Sequence, residues 1–162
     1  MPVLVLSGPI NAGKTTTGGA LAALLPDALF VDGDDHDAPD DAPLALRIEA
    51  SFVRIERVIA AASATNLVVA VPLRDVDHRR LLTAATARAM RLYVITLAPP
   101  PAVALGDRGN RPLSPHEIER ARQMYAEGYA DRPFSDMIVT DMPGPQATAR
   151  HIVRHLRLPA TA

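Results

Sequence analysis

The sequence contains no cysteine and no tryptophan, and its other aromatic residues are three phenylalanines and three tyrosines. Without cysteine the chain cannot form a disulfide, a thiolate metal site or a cysteine nucleophile, and this composition favours a cytoplasmic protein. It also lacks any apolar run close to the ~18 residues that a membrane-spanning helix needs. The apolar opening MPVLVLS is too short for a signal peptide and has no basic segment before it. We therefore expect no membrane partner.

An excess of charge of either sign is also missing, because 17 basic and 18 acidic residues give a formal net charge of −1. Such a balance creates no field that would attract nucleic acid, so no nucleic-acid partner is expected. The chain has 162 residues, of which 48% are hydrophobic and 22% charged, as in ordinary globular proteins. This length and composition predict one domain over residues 1–162, as a monomer or a homodimer.

Short apolar runs alternate with amphipathic stretches along the whole chain. The runs predict strands at residues 3–7, 28–31, 67–71, 92–97 and 137–139. Helical spacing of apolar residues predicts helices at residues 13–25, 44–63, 77–90, 115–130 and 148–158. Asp77 is the expected cap of the third helix, and Ser114 with Glu117 the expected capping box of the fourth. Such alternation predicts an α/β fold with a parallel sheet covered by helices on both faces.

Lysine is nearly absent, since the chain holds sixteen arginines and a single lysine, which lies in the stretch SGPINAGKTT. The octet from Gly8 to Thr15 matches the P-loop pattern G-x-x-x-x-G-K-[ST]. It also lies between a predicted strand and a predicted helix, which is the context that the pattern requires. This motif predicts a site for the phosphates of ATP. The residues predicted to bind the nucleotide are Gly8, Pro9, Ile10, Asn11, Ala12, Gly13, Lys14, Thr15 and Thr16.

Each residue type in this loop has a physical role in phosphate binding. The glycines allow a tight turn in which successive backbone N–H groups point into one hollow, and the following helix adds its positive N-terminal end. Lys14 is a compact charge on a flexible stem, and we expect it to reach the β- and γ-phosphates during catalysis. Thr15 is expected to bind Mg²⁺ through its hydroxyl, and Thr16 to contact an inner phosphate.

An acidic segment, DGDDHDAPDD, follows the second predicted strand. In a doubly wound sheet, ligands bind at the carboxyl ends of the strands, so this segment is expected to lie beside the P-loop. Carboxylates at that place can hold Mg²⁺ or its water shell, and can orient or deprotonate a substrate hydroxyl. Asp32 and Asp34 are the candidates for these roles. The later aspartates of the segment are interpreted as a solvated loop.

A third motif, GDRGNRP, follows the fourth predicted strand. Phosphoryl transfer needs positive charge over the migrating group, and an arginine on a mobile loop can supply that charge while the loop excludes water. Arg108 and Arg111 are therefore candidate catalytic residues on a lid at about residues 106–116.

The whole chain resembles the small P-loop kinases that phosphorylate metabolites: shikimate kinase, gluconate kinase, adenylylsulfate kinase and chloramphenicol phosphotransferase. The resemblance is carried by SGPINAGKTT, by FVDGDDHD and by RPLS followed by a helix. It implies a three-layer P-loop NTPase fold, with a five-stranded parallel sheet in the order 2-3-1-4-5 and a small lid. It also implies that Asp32 lies near the Mg²⁺ site and that Asp34 contacts the substrate or acts as the base.

The chain departs from the family patterns where the acceptor would bind. Shikimate kinases carry an arginine after the phenylalanine of the segment that matches SFVRIE, and here that place is Val53, with Arg54 one position later. The third strand ends in Ala70-Val71-Pro72 where shikimate kinases have a glycine triplet. The lid motif of gluconate kinases is missing as well. We therefore expect the acceptor to be neither shikimate nor gluconate.

Charge gives two opposite expectations for the acceptor. Six aspartates between residues 32 and 41 favour a neutral or cationic acceptor, such as an amino sugar or aminocyclitol. Arg54, Arg57 and Arg74, if they lie near the same pocket, would reverse that argument. The candidate substrate-binding residues are accordingly Asp34, Arg54 and Arg74.

Together these motifs predict an ATP- and Mg²⁺-dependent phosphotransferase with an alcohol group of a small molecule as acceptor. A nucleoside or nucleotide kinase would be built on the same architecture with a base-reading pocket. A nucleotide-binding regulatory protein that has no acceptor is the alternative from another class.

Overall fold

The computed structural model describes residues 1–106 and 112–161. Its helices and strands follow one another in the order β1 (Pro2–Ser7), α1 (Lys14–Leu24), β2 (Ala28–Asp32), α2 (Leu44–Ala61), β3 (Asn66–Ala70), α3 (Asp75–Ala87), β4 (Arg91–Leu97), α4 (Pro101–Ala104), α5 (Pro115–Ala126), β5 (Met137–Val139) and α6 (Pro145–Leu156).

The five strands form one parallel sheet in the order β2-β3-β1-β4-β5, as expected. The central strand β1 pairs with β3 on one side and with β4 on the other, so that Val3 is in register with Leu67 and with Leu92. All five strands therefore end at the same edge of the sheet. The loops that follow β1, β2 and β3 meet there, which brings the P-loop next to the acidic segment.

The two faces of the sheet are covered by different helices, and β1 contributes to both core layers. Val3 and Val5 point toward the layer that includes Phe52 of α2. Leu4 and Leu6 point toward the opposite layer, to which α1 and α6 contribute Leu21 and Ile152. Because successive side chains of a strand alternate between faces, the apolar run of β1 is explained by burial on both sides.

Helix α2 is fastened to α3 by a charged cluster. Arg80 of α3 donates from Nε to Glu56 Oε1 at 2.8 Å and from Nη1 to Glu49 Oε2 at 2.7 Å. Its guanidinium also lies 5.6 Å from the ring centroid of Phe52, in a cation–π contact. This cluster positions the helix that forms one wall of the second cavity described below.

The predicted capping box of α5 is confirmed. The Glu117 backbone N–H donates to Ser114 Oγ at 3.2 Å, and the Ser114 N–H donates to Glu117 Oε2 at 2.8 Å. The predicted cap of α3 is wrong, because α3 begins at Asp75 and Asp77 is its third residue. The Asp77 carboxylate instead accepts a hydrogen bond from the Arg74 N–H at 3.0 Å and satisfies a helix-end donor from inside the first turn.

Helices α5 and α6 also differ from their predicted bounds, and the short helix α4 was not predicted. Helix α5 ends at Ala126, and Gly128 follows with a φ of 77°, a left-handed conformation that ends helices. Helix α6 begins at Pro145 because proline fits the first helical position. Pro101 is the first residue of α4, a position that proline also fits. Within residues 1–106 and 112–161, no helix combines the length and apolar character needed to cross a bilayer.

Candidate functional site

The loop between β1 and α1 has the backbone conformation of a phosphate-binding turn. Gly8, Asn11 and Gly13 have φ values of 138°, 59° and 90°. Gly8 also approaches β4 so closely that a Cβ there would lie 2.3 Å from the carbonyl oxygen of Leu97. Glycine is therefore required at this position both by conformation and by space.

The same loop is held from within and from outside. The Ala12 N–H donates to the Pro9 carbonyl oxygen at 3.3 Å. Asn11 Nδ2 donates to the carbonyl oxygen of Ala104 at 2.8 Å, which ties the tip of the loop to the end of α4. Asparagine is one of the few residues besides glycine that adopts the left-handed conformation readily, so Asn11 serves both the turn and this contact.

Lys14 lies at the base of the loop as the first residue of α1. Its Nζ donates to the carbonyl oxygens of Pro9 at 2.7 Å and of Gly8 at 3.2 Å. Burial lowers the pKa of Lys14 from 10.5 to about 8, and the carboxylates of Asp34 and Asp32 oppose this shift. The ammonium group is therefore poorly solvated and close to acidic side chains, so a bound phosphate would stabilise its charged form.

A cavity of about 290 Å³ opens in front of this loop. We refer to it as the P-loop cavity. Lys14, Thr15 and Thr16 lie on its α1 side, and Asp34 and Pro72 lie opposite. The sequence predicted this meeting of the P-loop with the acidic segment.

The end of β2 forms a tight turn that presents the acidic side chains. The Asp34 N–H donates to Asp32 Oδ1 at 3.1 Å, and the Gly33 N–H donates to the Ala70 carbonyl oxygen at 2.8 Å. A Cβ at Gly33 would lie 2.5 Å from that same oxygen. Ser51 of α2 donates its hydroxyl to the Gly33 carbonyl oxygen. These contacts fix the backbone between Asp32 and Asp34.

A second cavity, of about 250 Å³, lies between this turn, the end of β3 and helix α2. Asp34 and Pro72 line both cavities, so they form the boundary between them. The apolar residues of its wall are Leu44, Ile48, Phe52, Val71 and Tyr129, and its polar residues include His36, Arg47, Ser51, Arg74 and Asp77.

The two predicted substrate arginines lie in different places. Arg74 lines the second cavity, and its guanidinium donates from Nε to Asp77 Oδ2 at 2.8 Å and from Nη2 to Asp77 Oδ1 at 2.9 Å. Arg54 is not among the residues that line it. Its guanidinium donates instead to the Asp32 carbonyl oxygen at 3.3 Å and to Asp35 Oδ2 at 3.5 Å.

Sequence reasoning missed Arg47 and Tyr129, which both line the second cavity. A signal for Arg47 was present, because it precedes Ser51 by four residues on the same helix. Residues four apart share a helix face, and Ser51 is buried at 4% exposure. Tyr129 follows α5 and reaches the cavity through the tertiary packing, which no local pattern reports.

A third cavity, of about 380 Å³, lies at the same edge of the sheet beyond β4 and β5. Pro99, Pro100 and Val103 line it from the β4 side, and Asp141 and Met142 from the β5 side. The hydrogen bond from Asn11 to Ala104 connects the P-loop to the helix that borders this cavity.

The residues that could hold Mg²⁺ are few. Within residues 1–106 and 112–161, no group of three or more His, Asp or Glu side chains could hold a metal ion by itself. Mg²⁺ usually keeps several waters and uses one or two protein ligands together with substrate phosphates. The hydroxyl of Thr15, which lines the P-loop cavity, and the carboxylate of Asp32 fit such a partial ligand set.

The predicted lid arginines, Arg108 and Arg111, lie outside the described residues, which resume at Pro112. The segment that follows them is described and lies at the site. Leu113 and Glu117, which come shortly after the predicted lid arginines, line the P-loop cavity.

Solved structures with the same architecture cover nearly all of this chain. The tunicamycin resistance protein of Deinococcus radiodurans is 21% identical, with a TM-score of 0.70 over 99% of this chain and 98% of that one. A sugar kinase from Janibacter sp. is 18% identical, with a TM-score of 0.71 over 98% and 95%. The APS kinase CysC of Mycobacterium tuberculosis, in complex with AMPPNP and APS, is 12% identical, with a TM-score of 0.68 over 96% and 97%.

Kti12 of Chaetomium thermophilum, in complex with ADP-AlF3, is also similar, at 14% identity and a TM-score of 0.66 over 96% of this chain and 97% of that one. No protein-family model and no curated protein matches the sequence. At these identities the likeness shows the fold. The chain has the three-layer P-loop NTPase fold that the resemblance implied.

Proposed function

We propose that this chain is an ATP- and Mg²⁺-dependent phosphotransferase that moves the γ-phosphate to a hydroxyl of a small molecule. The observation that carries the proposal is the position of Asp34, which lines both the P-loop cavity and the second cavity. A carboxylate at this boundary can contact the acceptor hydroxyl and the transferred phosphoryl group at the same time. Phosphoryl transfer requires that kind of in-line approach between two adjacent sites.

In this proposal the nucleotide lies along the edge of the sheet. Its phosphates occupy the P-loop cavity, where the amides of the loop and the N-terminal end of α1 provide partial positive charge. Lys14 exchanges its hydrogen bonds to Pro9 and Gly8 for bonds to the phosphates. The base occupies the third cavity, whose Pro99, Pro100 and Met142 offer apolar surface. Nucleotides bound to two similar proteins, as AMPPNP and ADP-AlF3, support a nucleotide here.

The acceptor occupies the second cavity in this proposal, with its hydroxyl at Asp34. Asp34 orients the hydroxyl or accepts its proton as the phosphate transfers. Arg108 or Arg111 would supply positive charge above the migrating group. Thr15 and Asp32 would hold Mg²⁺, which supplies charge neutralisation for the phosphates when bound.

A second candidate is a nucleotide-binding protein that acts on no acceptor, and the similarity to Kti12 is compatible with it. The size of the second cavity, about 250 Å³ beside Asp34, favours the phosphotransferase. A nucleoside kinase would need groups in that cavity that hydrogen-bond a base. The identity of the molecule that binds in the second cavity, if any, therefore distinguishes between these functions.

A coupled assay of ADP release tests the proposal. Purified protein with ATP and Mg²⁺ is given a panel of hydroxylated metabolites, aminoglycoside-type compounds and nucleosides, with Lys14→Ala as the blank. We expect at least one small hydroxylated compound to raise ADP release above the acceptor-free rate in the parent protein and not in the variant. ATP turnover that no acceptor increases would support the binding protein, and turnover with nucleosides alone would support the nucleoside kinase.

A further inference from the structure

One arginine that lines the second cavity has no ion-pair partner in the part of the chain that the structure describes. Arg47 lines this cavity, and within residues 1–106 and 112–161 it forms no ion pair. Its Nε atom is buried and has no hydrogen-bond partner among the same residues. The rest of its guanidinium likewise forms no hydrogen bond with these residues. Polar groups at such positions in native proteins nearly always have partners, so an unpartnered guanidinium that lines a ligand-sized cavity indicates that a ligand binds it.

The other charges of this cavity largely cancel. Arg74 and Asp77 pair with each other through two hydrogen bonds of 2.8 and 2.9 Å. Asp34 lies at the boundary with the P-loop cavity, close enough to Lys14 to act on its pKa. Of the two arginines that line the cavity, Arg74 is therefore neutralised by Asp77, whereas Arg47 has no ion-pair partner within residues 1–106 and 112–161.

The run of aspartates does not reverse this balance. Of its six members, Asp34 is the one that lines the second cavity among the described residues. Asp35 pairs with Arg54, and Asp37 pairs with Arg57 in an exposed contact, both at 3.5 Å. The argument for a cationic acceptor assumed that these carboxylates face the acceptor.

We infer that Arg47 binds a carboxylate of the acceptor, so that the substrate class is a small hydroxy acid with an apolar body. That the acceptor carries a hydroxyl rests on the proposed function. That it carries a carboxylate rests on the geometry of the second cavity. A guanidinium presents its N–H groups in a planar fork that fits a carboxylate with two parallel hydrogen bonds. The rings and methyl groups of Ile48, Phe52, Val71 and Tyr129 match the apolar body.

The cavity limits the size of this acceptor. A volume of about 250 Å³ lies just below the usual range for ligand pockets, which is roughly 300–1,000 Å³. A molecule with one ring fits such a space, whereas a long peptide or a multi-ring antibiotic does not. In the bound molecule the hydroxyl lies at Asp34 and the acid at Arg47.

Direct binding tests the acid without relying on catalysis. Nucleotide-free protein is titrated with matched sets in which only the charged group changes: 3-hydroxybenzoate, 3-hydroxybenzamide and 3-hydroxybenzylamine, and the corresponding 4-hydroxycyclohexane compounds. Binding is followed by calorimetry and by the NMR resonances of the arginine Nε–H groups. We expect the acid of at least one set to bind roughly ten- to hundredfold more tightly than its amide and its amine. We also expect the acid to shift the Arg47 Nε–H resonance.

Two variants of the same helix provide the matched comparison. Arg47→Gln should abolish the preference for the acid, while Arg57→Gln should keep it, because the Arg57 side chain is 72% exposed and does not line the cavity. Circular dichroism confirms that both variants are folded. Equal binding of acid and amide, a preference for the amine, no binding of any acid, or a preference that survives Arg47→Gln would each overturn the inference.

The binding titrations and the ADP-release assay together separate this inference from the proposed function. If acids bind at Arg47 but no acceptor increases ADP release, the phosphotransferase fails and the assignment of Arg47 stands. If ADP release responds to neutral or amino compounds and not to acids, the phosphotransferase stands and the assignment of Arg47 fails.

Discussion

Arg74 and Asp77 form a two-point ion pair, in which Arg74 Nε lies 2.8 Å from Asp77 Oδ2 and Nη2 lies 2.9 Å from Oδ1. The Asp77 side chain is only 2% exposed, whereas that of Arg74 is 51% exposed. Asp77 also accepts the Arg74 backbone N–H at 3.0 Å. One carboxylate thus secures the first turn of α3 and is neutralised where it faces the second cavity.

Removal of this carboxylate should destabilise the fold. We expect Asp77→Ala to lower the free energy of unfolding by about 2 kcal/mol, because the helix end loses its acceptor and Arg74 loses its buried partner. Asp75→Ala is the matched control in the same turn, since the Asp75 side chain is 64% exposed and lies 4.0 Å from its partner. Its effect should stay within about 0.5 kcal/mol. Urea unfolding measures both, and equal effects would contradict the structural role of Asp77.

The P-loop should tolerate no side chain at its first glycine. Gly8→Ala would place a Cβ 2.3 Å from the Leu97 carbonyl oxygen, so we expect a loss of about 2–3 kcal/mol in the free energy of unfolding and weaker binding of ATP. Gly19→Ala is the control within α1, where a Cβ meets nothing within 4 Å. It should stabilise the protein by about 0.5–1 kcal/mol. Thermal unfolding with and without ATP distinguishes these outcomes, and a neutral Gly8→Ala would contradict the packing of this loop.

Nucleotide binding should take up a proton near pH 8. The pKa of Lys14 is lowered to about 8 in the empty loop, so a growing fraction of its side chain is neutral as the pH rises. Phosphates favour the ammonium form and raise the pKa again. We therefore expect an uptake of about 0.1 proton at pH 7, about 0.5 at pH 8 and about 0.9 at pH 9 from this group.

Calorimetry in buffers of different ionisation enthalpy measures this uptake. ATP with Mg²⁺ is titrated at the three pH values, and the same titrations with Lys14→Arg serve as the control because arginine does not titrate there. An uptake that stays constant from pH 7 to pH 9 would show that Lys14 is charged in the empty loop.

Asp34 should affect catalysis more than nucleotide binding. If it orients or deprotonates the acceptor, Asp34→Asn will lower kcat by roughly 10²- to 10⁴-fold with any acceptor that the screen identifies. The affinity for ATP should change little, because the loop amides and Lys14 remain. Asp37→Asn is the control, since the Asp37 side chain is 71% exposed and lines neither cavity. A normal kcat for Asp34→Asn would remove Asp34 from the reaction.

Arg80 should hold α2 in place. Its guanidinium bonds Glu49 and Glu56 and contacts the ring of Phe52, and its side chain is 25% exposed. We expect Arg80→Ala to lower the free energy of unfolding by about 1–2 kcal/mol, and part of this effect should vanish in 1 M salt. Arg79→Ala, at an exposed neighbouring position, should change the free energy of unfolding by less than about 0.5 kcal/mol. Equal effects would show that the cluster contributes little to stability.

The strands, the P-loop and the capping box of α5 could be predicted because each depends on neighbouring residues. Apolar runs bounded by glycine and proline mark the strands, and Ser114 and Glu117 satisfy each other within one turn. Alternation of strands and helices predicts a parallel sheet, but the order 2-3-1-4-5 came from the resemblance to known kinases. No local pattern states which strands are neighbours, since strand pairing joins residues far apart in the chain.

The residues near the predicted acceptor site also divide into those that the sequence predicted and those that only the structure revealed. Arg54 and Arg74 were both predicted from proximity to motifs, yet Arg54 turns to Asp35 and only Arg74 of the two lines the second cavity. Arg47 lines it because α2 packs across the ends of β2 and β3, an arrangement held by Ser51 at Gly33. Arg47 and Arg54 lie seven residues apart, about two helical turns, on nearly the same face of α2. Which of them lines the cavity therefore depends on where the helix crosses the ends of β2 and β3, and no local pattern states that.

The sequence by itself determined that this protein has a glycine turn followed by a lysine at a helix start, at the edge of a parallel sheet, because such a turn is a local structure. The tertiary structure alone decided that Asp34 lies between two cavities and that Arg47, which lines the second, has no ion-pair partner among residues 1–106 and 112–161. Those facts depend on contacts between the β2 turn, the end of β3 and α2. Such contacts form only when the whole chain has folded.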